Sequence, residues 1–415
     1  PNHYSENFTN EMKNVINKIN LLFISTVMVN GCSETSVSNN DNTNQTQANE
    51  WQLIWADEFD NEILDEEKWN IMLWRPGQVN NELQAYTAEG NNIFIENGNL
   101  EIQALYQPGF TGTDNSGNEY TADYTSGRLN TAGRSEWTYG RFEIRAKLPD
   151  GRGSWPAIWM LGSSISTIGW PACGEIDIME HVGYDQGVIH ASIHTTDYNH
   201  NLDTQKSGSI TIPTVSDSFH VYTLEWSPTY LYFLVDDVPY HFVYNDGQND
   251  QNKWPFDNDA FIILNIAVGG DWGGVQGVNN SAFPMRMLVD YVRVYEATDQ
   301  HQDVDVTFQV NMKNELVNGT GLRISGGSLG AGHPGGIAME DIDGDGIWLA
   351  TLSLPKASVH TYKYRNGYFP DSWNSGWEIL SDECGVDEPN NRQLITSARD
   401  TILPPVCFSS CTDCD

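Results

Sequence analysis

Short runs in which apolar and polar residues alternate most restrict what this chain of 415 residues can fold into. Residues 139–148, YGRFEIRAKL, and residues 220–241, HVYTLEWSPTYLYFLVDDVPYH, show this alternation. It predicts strands with one buried face, because successive side chains of a strand point to opposite faces. Glycine, asparagine and aspartate separate such runs, and long amphipathic helices are hard to find. The sequence therefore predicts an all-β fold.

The beginning of the chain is typical of a targeting segment. Within residues 1–32, a short basic stretch precedes an apolar run that is too short to span a bilayer stably and that closes on VNGC at Cys32. This ending resembles a bacterial lipobox, so we expect export, with a lipid on Cys32 that anchors the protein to a bacterial membrane. Secretion without a lipid is the alternative. Residues 33–49 are polar without an apolar period, which predicts a disordered linker.

Two folded regions follow this linker. Strand patterns run through residues 50–297, and a polar joint at residues 298–303 leads into a second β-rich segment. That segment, residues 304–415, suits one small β-sandwich that acts as an accessory module. Trp373 and Trp377 are its candidates for stacking on glycan, with core packing or docking of the first domain as the alternatives.

Four cysteines lie close together near the C-terminus: Cys384, Cys407, Cys411 and Cys414. In an exported protein we expect disulfides, in one of three pairings that the sequence leaves open. A zinc site is the alternative, although no histidine lies nearby to complete it.

The charge of the chain excludes one class of partner. Its 56 acidic and 21 basic residues give a formal net charge of −35. Nucleic acids and anionic membrane surfaces are polyanions that bind clusters of lysine and arginine. The balance therefore argues against nucleic acid and suits a neutral ligand.

Three carboxylates stand in an apolar stretch, WPACGEIDIMEHVG, at residues 170–183. In a regular strand Glu175, Asp177 and Met179 share one face, and Glu180 points to the other. A β-bulge after Asp177 would add one residue and return Glu180 to the face of the other two acids. We therefore expect all three acids to face one cleft.

Acids in this arrangement suit the hydrolysis of a glycosidic bond. Strand geometry, with both glutamate side chains leaning inward, places the outer carboxyl groups about 5–6 Å apart, as in a retaining glycosidase. An inverting pair needs about 6.5–9.5 Å, which leaves room for water. Crowding raises at least one pKa, so Asp177 could share a proton with Glu175 while Glu180 starts protonated. A calcium site and an acidic surface strand are the alternatives.

The stretch GEIDIMEHVG resembles the signature of glycoside hydrolase family 16 in its bulge-containing form, with Met179 as the inserted residue. Further stretches agree in the same order between residues 51 and 297, including WADEFD, NNELQAYT, GRFEIRAKLPDGRGSWPAIWML, HASIHT and LVDYVRVYE. The resemblance implies a β-jelly roll, in which two curved antiparallel sheets carry a cleft across the concave face. It also implies that Glu175 is the nucleophile, Asp177 its helper and Glu180 the acid/base.

Residues around the reacting sugar follow partly from the resemblance. Trp155 and Trp159 share a strand face, where indole rings could stack on sugar or fill the core. Trp272 lies in the glycine-rich loop GGDWGG, where a large ring suits a sugar platform or loop packing. Family positions that line the cleft match Asn81, Glu82, Arg134 and His194, with a structural role as the alternative for each.

A calcium ion is the one metal that the resemblance implies, because members of the family often bind one on the convex side. The matching positions are Glu58, Gly98 and Asp290, whose oxygens suit calcium, and a salt bridge or turn is the alternative. No cofactor is expected for catalysis. A second acidic motif, DIDGDGIW at residues 341–348, lacks the glutamate that completes an EF-hand loop and favours an acidic turn.

The stretches WPACGEIDIMEHVG and SWPAIWML are most similar to the endo-1,3-β-glucanases, or laminarinases, so we expect a retaining, monomeric endo-1,3-β-glucanase. Hydrolysis of agarose, porphyran or mixed-linkage glucan by the same fold is the first alternative. A sulfated galactan calls for basic residues near the cleft, and the candidate segments hold chiefly Arg75 and Arg134. A non-catalytic glycan-binding surface protein is the second alternative.

Overall fold

The computed structural model of the protein describes residues 51–245, 250–298, 303–329, 335–356, 358–372, 374–381, 385–386, 390–397, 399–412 and 414. The predicted targeting segment, the linker, most of the joint, Trp373 and Cys384 lie outside the described residues. No helix within these residues has the length and apolar character needed to cross a membrane.

Strands make up nearly all of the regular structure of the first region. They are β1 (Trp51–Asp57), β2 (Asn70–Ile71), β3 (Gln84–Tyr86), β4 (Ile93–Glu96), β5 (Asn99–Thr113), β6 (Glu119–Ser126), β7 (Arg128–Asn130), β8 (Gly140–Lys147), β9 (Ser154–Gly162), β10 (Glu175–Glu180), β11 (Val188–His194), β12 (Lys206–Thr211), β13 (His220–Trp226), β14 (Tyr230–Val235), β15 (Val238–Tyr244), β16 (Ala260–Val268) and β17 (Met285–Ala297). One short helix, α1 (Ile165–Ile168), and a 3₁₀ turn (Asn280–Ala282) interrupt them.

These strands build two packed sheets, and the all-β prediction is confirmed. Among the described residues the outer sheet has ten strands in the order β15-β14-β13-β8-β17-β5-β6-β3, with β1 beside β17 and β4 beside β5. The cleft sheet has seven strands in the order β12-β11-β10-β9-β16-β7-β2. Neighbouring strands are antiparallel except β3 and β6, so the region is the predicted jelly-roll sandwich.

The alternating pattern of each strand divides its residues between the core and the opposite face. In β16, Ile262, Leu264 and Ile266 point into the core between the sheets, whereas Asn265 and Ala267 line the cleft. In β13, Tyr222, Leu224 and Trp226 contribute to the same core. Burying one large apolar side chain contributes about 1.5–3 kcal/mol, so the alternation fixes which face of each strand turns inward.

The second region folds around its own apolar core. Its strands are β18 (Asp303–Asn311), β19 (Leu322–Ser325), β20 (Ile337–Ala338), β21 (Ile347–Pro355), β22 (Val359–Asn366), β23 (Arg392–Ile395), β24 (Thr401–Ile402) and β25 (Val406–Cys407), with a 3₁₀ turn at Gly327–Leu329. Within the described residues, one four-stranded sheet joins β21, β18, β24 and β25, and another has the order β20-β19-β22-β23. Phe308, Ile324 and Tyr364 are fully buried between them.

Cysteine and aspartate side chains of this region have defined partners. Cys407 and Cys414 form a disulfide, which is a pairing that the sequence left open. Asp341 accepts hydrogen bonds from the backbone of Gly344 and Gly346 ahead of β21, the arrangement of an acidic turn. Trp377 is half-buried and lies 4.5 Å from the Arg365 guanidinium.

Candidate active site

An irregularity in β10 controls the direction of its acids. Against β9, Asp177 pairs with Trp159 and Met179 pairs with Ile158, so Ile178 is left without a partner. Against β11 the register also shifts between Asp177 and Glu180. The predicted bulge is confirmed, but the unmatched residue is Ile178 and not Met179. Both side chains are buried in the main core, which is why the sequence could not distinguish them.

Glu175, Asp177 and Glu180 all line one cavity on the open face of the cleft sheet. The cavity has a volume of about 690 Å³, which is within the range of sites that enclose small ligands. Side chains from β7, β9, β10, β11 and β16 form its floor, and loops near residues 80 and 271 form one wall. The three carboxylates therefore share one solvent-facing depression.

His194 lies beside the first two acids. It lies opposite Glu175 on β11, and its Nε2 is 3.2 Å from Asp177 Oδ2 and 3.8 Å from Glu175 Oε1. Asp177 Oδ2 is buried and has no hydrogen bond of good geometry among the described residues. The rings of Trp170 and His200 pack against His194, with ring centroids 6.0 and 5.1 Å away. This packing fixes the imidazole beside the acid pair.

Glu180 lies in a mainly aromatic environment. Trp155 donates a hydrogen bond from Nε1 to Glu180 Oε1 at 2.9 Å. Trp272 packs edge-on against Trp155 with ring centroids 5.5 Å apart, and His190 packs edge-on against Trp272 at 5.1 Å. The carboxyl group thus accepts a hydrogen bond from one of the aromatic side chains that surround it.

Burial of the three acids changes their ionisation. Loss of water raises the pKa of Glu180 to about 8, and the nearby Asp177 charge adds to the rise, while the Trp155 hydrogen bond opposes it. Burial also raises the pKa of Glu175 and of Asp177, which repel each other when both are ionised. At neutral pH the site therefore retains protons that ordinary carboxyl groups would have lost.

Arg128 lies at the floor of the same cavity and was not predicted from the sequence. It is buried, and its guanidinium stacks 4.1 Å from the Trp74 ring and 4.9 Å from the Trp159 ring. The positive charge lowers the pKa of Glu175 and of Glu82, opposing the effect of burial. Among the described lining residues, Arg128 is the one lysine or arginine.

A hydrogen-bond network continues from Arg128 along the wall of the cleft. Trp159 donates to Asn265 Oδ1 at 2.7 Å, and Asn265 donates to the Tyr86 hydroxyl at 3.1 Å. Gln84 in turn donates to Glu82 at 2.7 Å. Polar hydroxyl groups of a ligand would meet donors and acceptors whose orientations are already fixed.

The sequence-predicted substrate contacts divide into two groups. Trp155, Trp159, His194, Glu82 and Trp272 line the cavity. Asn81 and Arg134 are not among the lining residues: Asn81 is exposed and donates to Asp271 at 2.8 Å, and Arg134 is exposed and donates to Asn70 at 3.3 Å.

Arg75, the second basic residue expected near the cleft, is exposed and lies 4.0 Å from Asp114. Both expected cations are therefore absent from the lining residues, and the buried Arg128 is the cation of the cavity. The signal that could have identified it is an arginine in a short buried strand, in SGRLNT. Asn265 could have been found in the same way, as a polar residue within the apolar run AFIILNIAV.

Of the three residues predicted to bind calcium, both carboxylates are engaged with arginines, and Gly98 lies in a turn with a φ of 74°. Glu58 accepts two hydrogen bonds from Arg293, both at 2.8 Å, and Asp290 accepts one from Arg145. A hard cation needs carboxylate oxygens that are free to coordinate it. In this arrangement the donor set does not fit a calcium ion, and it matches the salt-bridge alternative.

Comparisons with known proteins agree on one family. The model for glycosyl hydrolases family 16 matches residues 80–293. A β-glucanase of Rhodothermus marinus is 47% identical over 281 residues, which span 66% of this chain and 93% of the relative.

Solved structures lead to the same group. The laminarinase of Rhodothermus marinus superposes with a TM-score of 0.55 at 46% identity, over 60% of this chain and 98% of that one. A variant of a non-specific endo-β-1,3(4)-glucanase, co-crystallised with 1,3-β-D-cellotriosyl-glucose, gives a TM-score of 0.56 at 44% identity, over 60% and 95%.

Proposed function

Because the chain belongs to glycosyl hydrolase family 16, and is therefore a glycoside hydrolase, we propose that it cleaves internal β-1,3 bonds of laminarin-type glucan with retention of configuration. The observation that carries the proposal is the position of Glu175, Asp177 and Glu180 on one strand and in one cavity. Catalysis in this family needs no cofactor.

In the first step Glu175 acts as the nucleophile. Its carboxylate oxygen attacks the anomeric carbon while the glycosidic bond breaks, and Glu180 gives its proton to the departing oxygen. The raised pKa of Glu180, about 8, keeps that proton available at neutral pH. Asp177 carries the proton that the crowded pair retains, so that Glu175 stays ionised beside Arg128.

In the second step Glu180, now a carboxylate, removes a proton from water. The water oxygen attacks the anomeric carbon, and the bond to Glu175 breaks. The Trp155 N–H stabilises the Glu180 carboxylate during this interval, because a hydrogen bond to the ionised form favours it. His194 on the neighbouring strand lies beside Asp177, with its Nε2 3.2 Å from Asp177 Oδ2.

A neutral glucan suits the lining of the cavity. Trp155, Trp159 and Trp272 offer ring faces or edges to the C–H surfaces of sugars. Arg128, the cation among the described lining residues, is stacked between aromatic rings and shares its charge with Glu82 and Glu175. An Arg in these surroundings does not favour a sulfate group, which makes a sulfated galactan the weaker candidate.

The identity of the relatives supports the linkage. The similar protein from Rhodothermus marinus is described as a laminarinase, and the relative co-crystallised with a glucan as a non-specific endo-β-1,3(4)-glucanase. We therefore propose β-1,3-glucan as the preferred substrate and mixed-linkage glucan as the second. Export, a lipid on Cys32 and a monomeric state remain proposals that rest on the sequence.

A panel of polysaccharides tests the proposed function. Reducing-end release is measured side by side on laminarin, lichenan, agarose and porphyran, and we expect the fastest release from laminarin. A proton NMR time course on laminarin should show the β-anomer as the first product. Early α-anomer would contradict retention, release from agarose or porphyran alone would contradict the substrate, and binding without cleavage would favour a glycan-binding protein.

A further inference from the structure

The β-bulge that returns Glu180 to the cleft lies opposite a second irregular position in the outer sheet. On β15 the register shifts between the residues that pair with Phe233 and Leu234, and Tyr240 has no partner on β14. On β10 the unmatched residue is Ile178. The two unmatched residues meet across the sandwich, where the Tyr240 hydroxyl donates a hydrogen bond to the Ile178 carbonyl oxygen at 3.2 Å.

The hydrogen bond between Tyr240 and Ile178 lies in the apolar core, where its loss would be costly. Ile178 is only 1% exposed and belongs to the main core, against which Tyr240 also packs. A carbonyl group buried among apolar side chains needs a hydrogen-bond partner, since an unmet one costs about 1–3 kcal/mol. Burial raises the pKa of the Tyr240 hydroxyl and the Glu180 charge raises it further, so this hydroxyl lies close to the carboxyl group of the proposed acid/base.

We propose that Tyr240 is a positioning residue, which fixes the β-bulge at Ile178 and through it the direction of Glu180. The inference rests on the proposed function, because it assigns Tyr240 to the acid/base of that reaction. A bulge has no complete ladder of strand hydrogen bonds to define its torsions. The hydrogen bond from Tyr240 in the opposite sheet restricts the backbone at Ile178, which lies two residues before Glu180.

The expected effect of losing the bond concerns catalysis more than substrate binding. Glu180 must reach the departing oxygen, whereas Trp159, Arg128 and Asn265 lie on other strands and keep their positions. Small misplacements of a reacting group are costly, up to about 100-fold for 1 Å. A carboxyl group that is less firmly held in its buried place also meets more water, so its pKa falls.

The experiment compares Tyr240→Phe with Tyr222→Phe. Tyr222 is a matched control, because it is fully buried in the same core and its hydroxyl has no hydrogen-bond partner among the described residues. Each substitution removes one buried oxygen atom, and only the first removes the contact with Ile178. Kinetics on laminarin are measured across pH, at a temperature at which circular dichroism shows both variants folded.

We expect Tyr240→Phe to lower kcat about tenfold with KM changed less than about twofold. In Tyr240→Phe the fall of kcat at alkaline pH should begin at a lower pH than in the wild type. Tyr222→Phe should keep the wild-type kcat and the wild-type pH dependence. Equal kinetics in the two variants would overturn the inference. A lower kcat in Tyr240→Phe with an unchanged pH dependence would also overturn it, because it would indicate a purely structural role. Glu180→Gln separates the two proposals: its full activity would overturn the proposed function itself.

Discussion

The cleft and the second region both bury carboxylates, but they neutralise them in different ways. In the second region Glu378 is 1% exposed and receives hydrogen bonds from Arg392 at 2.7 and 3.0 Å. The outer sheet follows the same rule, since buried Glu225 pairs with Arg141. In the cleft, Arg128 is the one lysine or arginine among the described lining residues, and its charge acts on Glu175. Burial raises the pKa of all three acids there.

The difference separates what stabilises the molecule from what equips it for chemistry. A buried acid paired with its own arginine serves the stability of the fold. In the proposed mechanism the cleft acids instead divide the chemistry, since Glu180 keeps a proton for transfer and Asp177 holds the proton that leaves Glu175 ionised, at a cost to stability. The free energy of folding supplied by the rest of the sandwich offsets that cost.

The largest effect is expected for Glu175→Gln. Removal of the nucleophile should lower activity on laminarin on the order of 10⁴-fold or more, because the carboxylate that forms the glycosyl intermediate is gone. The melting temperature should stay the same or rise, because burial raises the pKa of Glu175 and its ionisation therefore costs stability. Calorimetry and reducing-end assays measure both quantities.

The gain in melting temperature should also depend on pH. A carboxyl group whose pKa is raised by folding binds its proton more tightly in the native state, so stability is lost as pH rises through the raised pKa. The gain from Glu175→Gln should therefore grow as pH rises above the ordinary glutamate range. Wild-type activity would end the catalytic assignment, and a clear loss of stability would show that Glu175 is a structural acid.

The second effect is expected for Glu378→Gln, which leaves Arg392 buried without its counterion. Breaking a buried ion pair costs about 3–5 kcal/mol, and chemical denaturation should show this loss for the transition of the second region. Activity per folded molecule should be unchanged. Glu58→Gln is the matched control, because its pair with Arg293 is about a third exposed and should contribute about 1 kcal/mol or less. Equal losses in the two variants would remove the contrast between buried and exposed pairs.

The smallest effect is expected for Trp155→Phe, which keeps a ring but removes the N–H donor to Glu180. Without that donor the pKa of Glu180 rises above about 8, so the alkaline limb of kcat/KM should move to higher pH. The rate at the optimum should fall by less than about tenfold. Trp272→Phe provides the control, because this ring packs on Trp155 without a hydrogen bond to Glu180. This account would be contradicted if the alkaline limb of kcat/KM stayed at the wild-type pH in Trp155→Phe. It would also be contradicted if the limb moved equally in Trp155→Phe and Trp272→Phe.

Local pattern was sufficient for those parts of the site that lie on one strand. Two-residue periodicity identified β9 and β10, and the three-residue step from Asp177 to Glu180 required a bulge. Ile178 could not be chosen over Met179, because both are apolar and both are buried. Only the pairing with Ile158 on β9 shows which residue is unmatched.

Contributions from distant strands could not be predicted in the same way. Arg128 on β7 and Asn265 on β16 reach the cavity because β16 lies between β7 and β9, an order that no local pattern specifies. Loop conformation explains why two residues predicted to line the cleft, Asn81 and Arg134, lie outside it. Asn81 has a positive φ of 52° and turns toward Asp271, and Arg134 turns toward Asn70.

The position of β17 in the outer sheet determines when the protein can complete its fold during synthesis. This strand comes last in the first region, yet it lies between β8 and β5 and also pairs with β1. Until the ribosome has passed Ala297, the outer sheet remains in two halves with open edges, and contacts such as Glu58 with Arg293 must close 235 positions of chain. Such non-local pairing makes folding slow, and the nascent strands need protection from aggregation until β17 emerges.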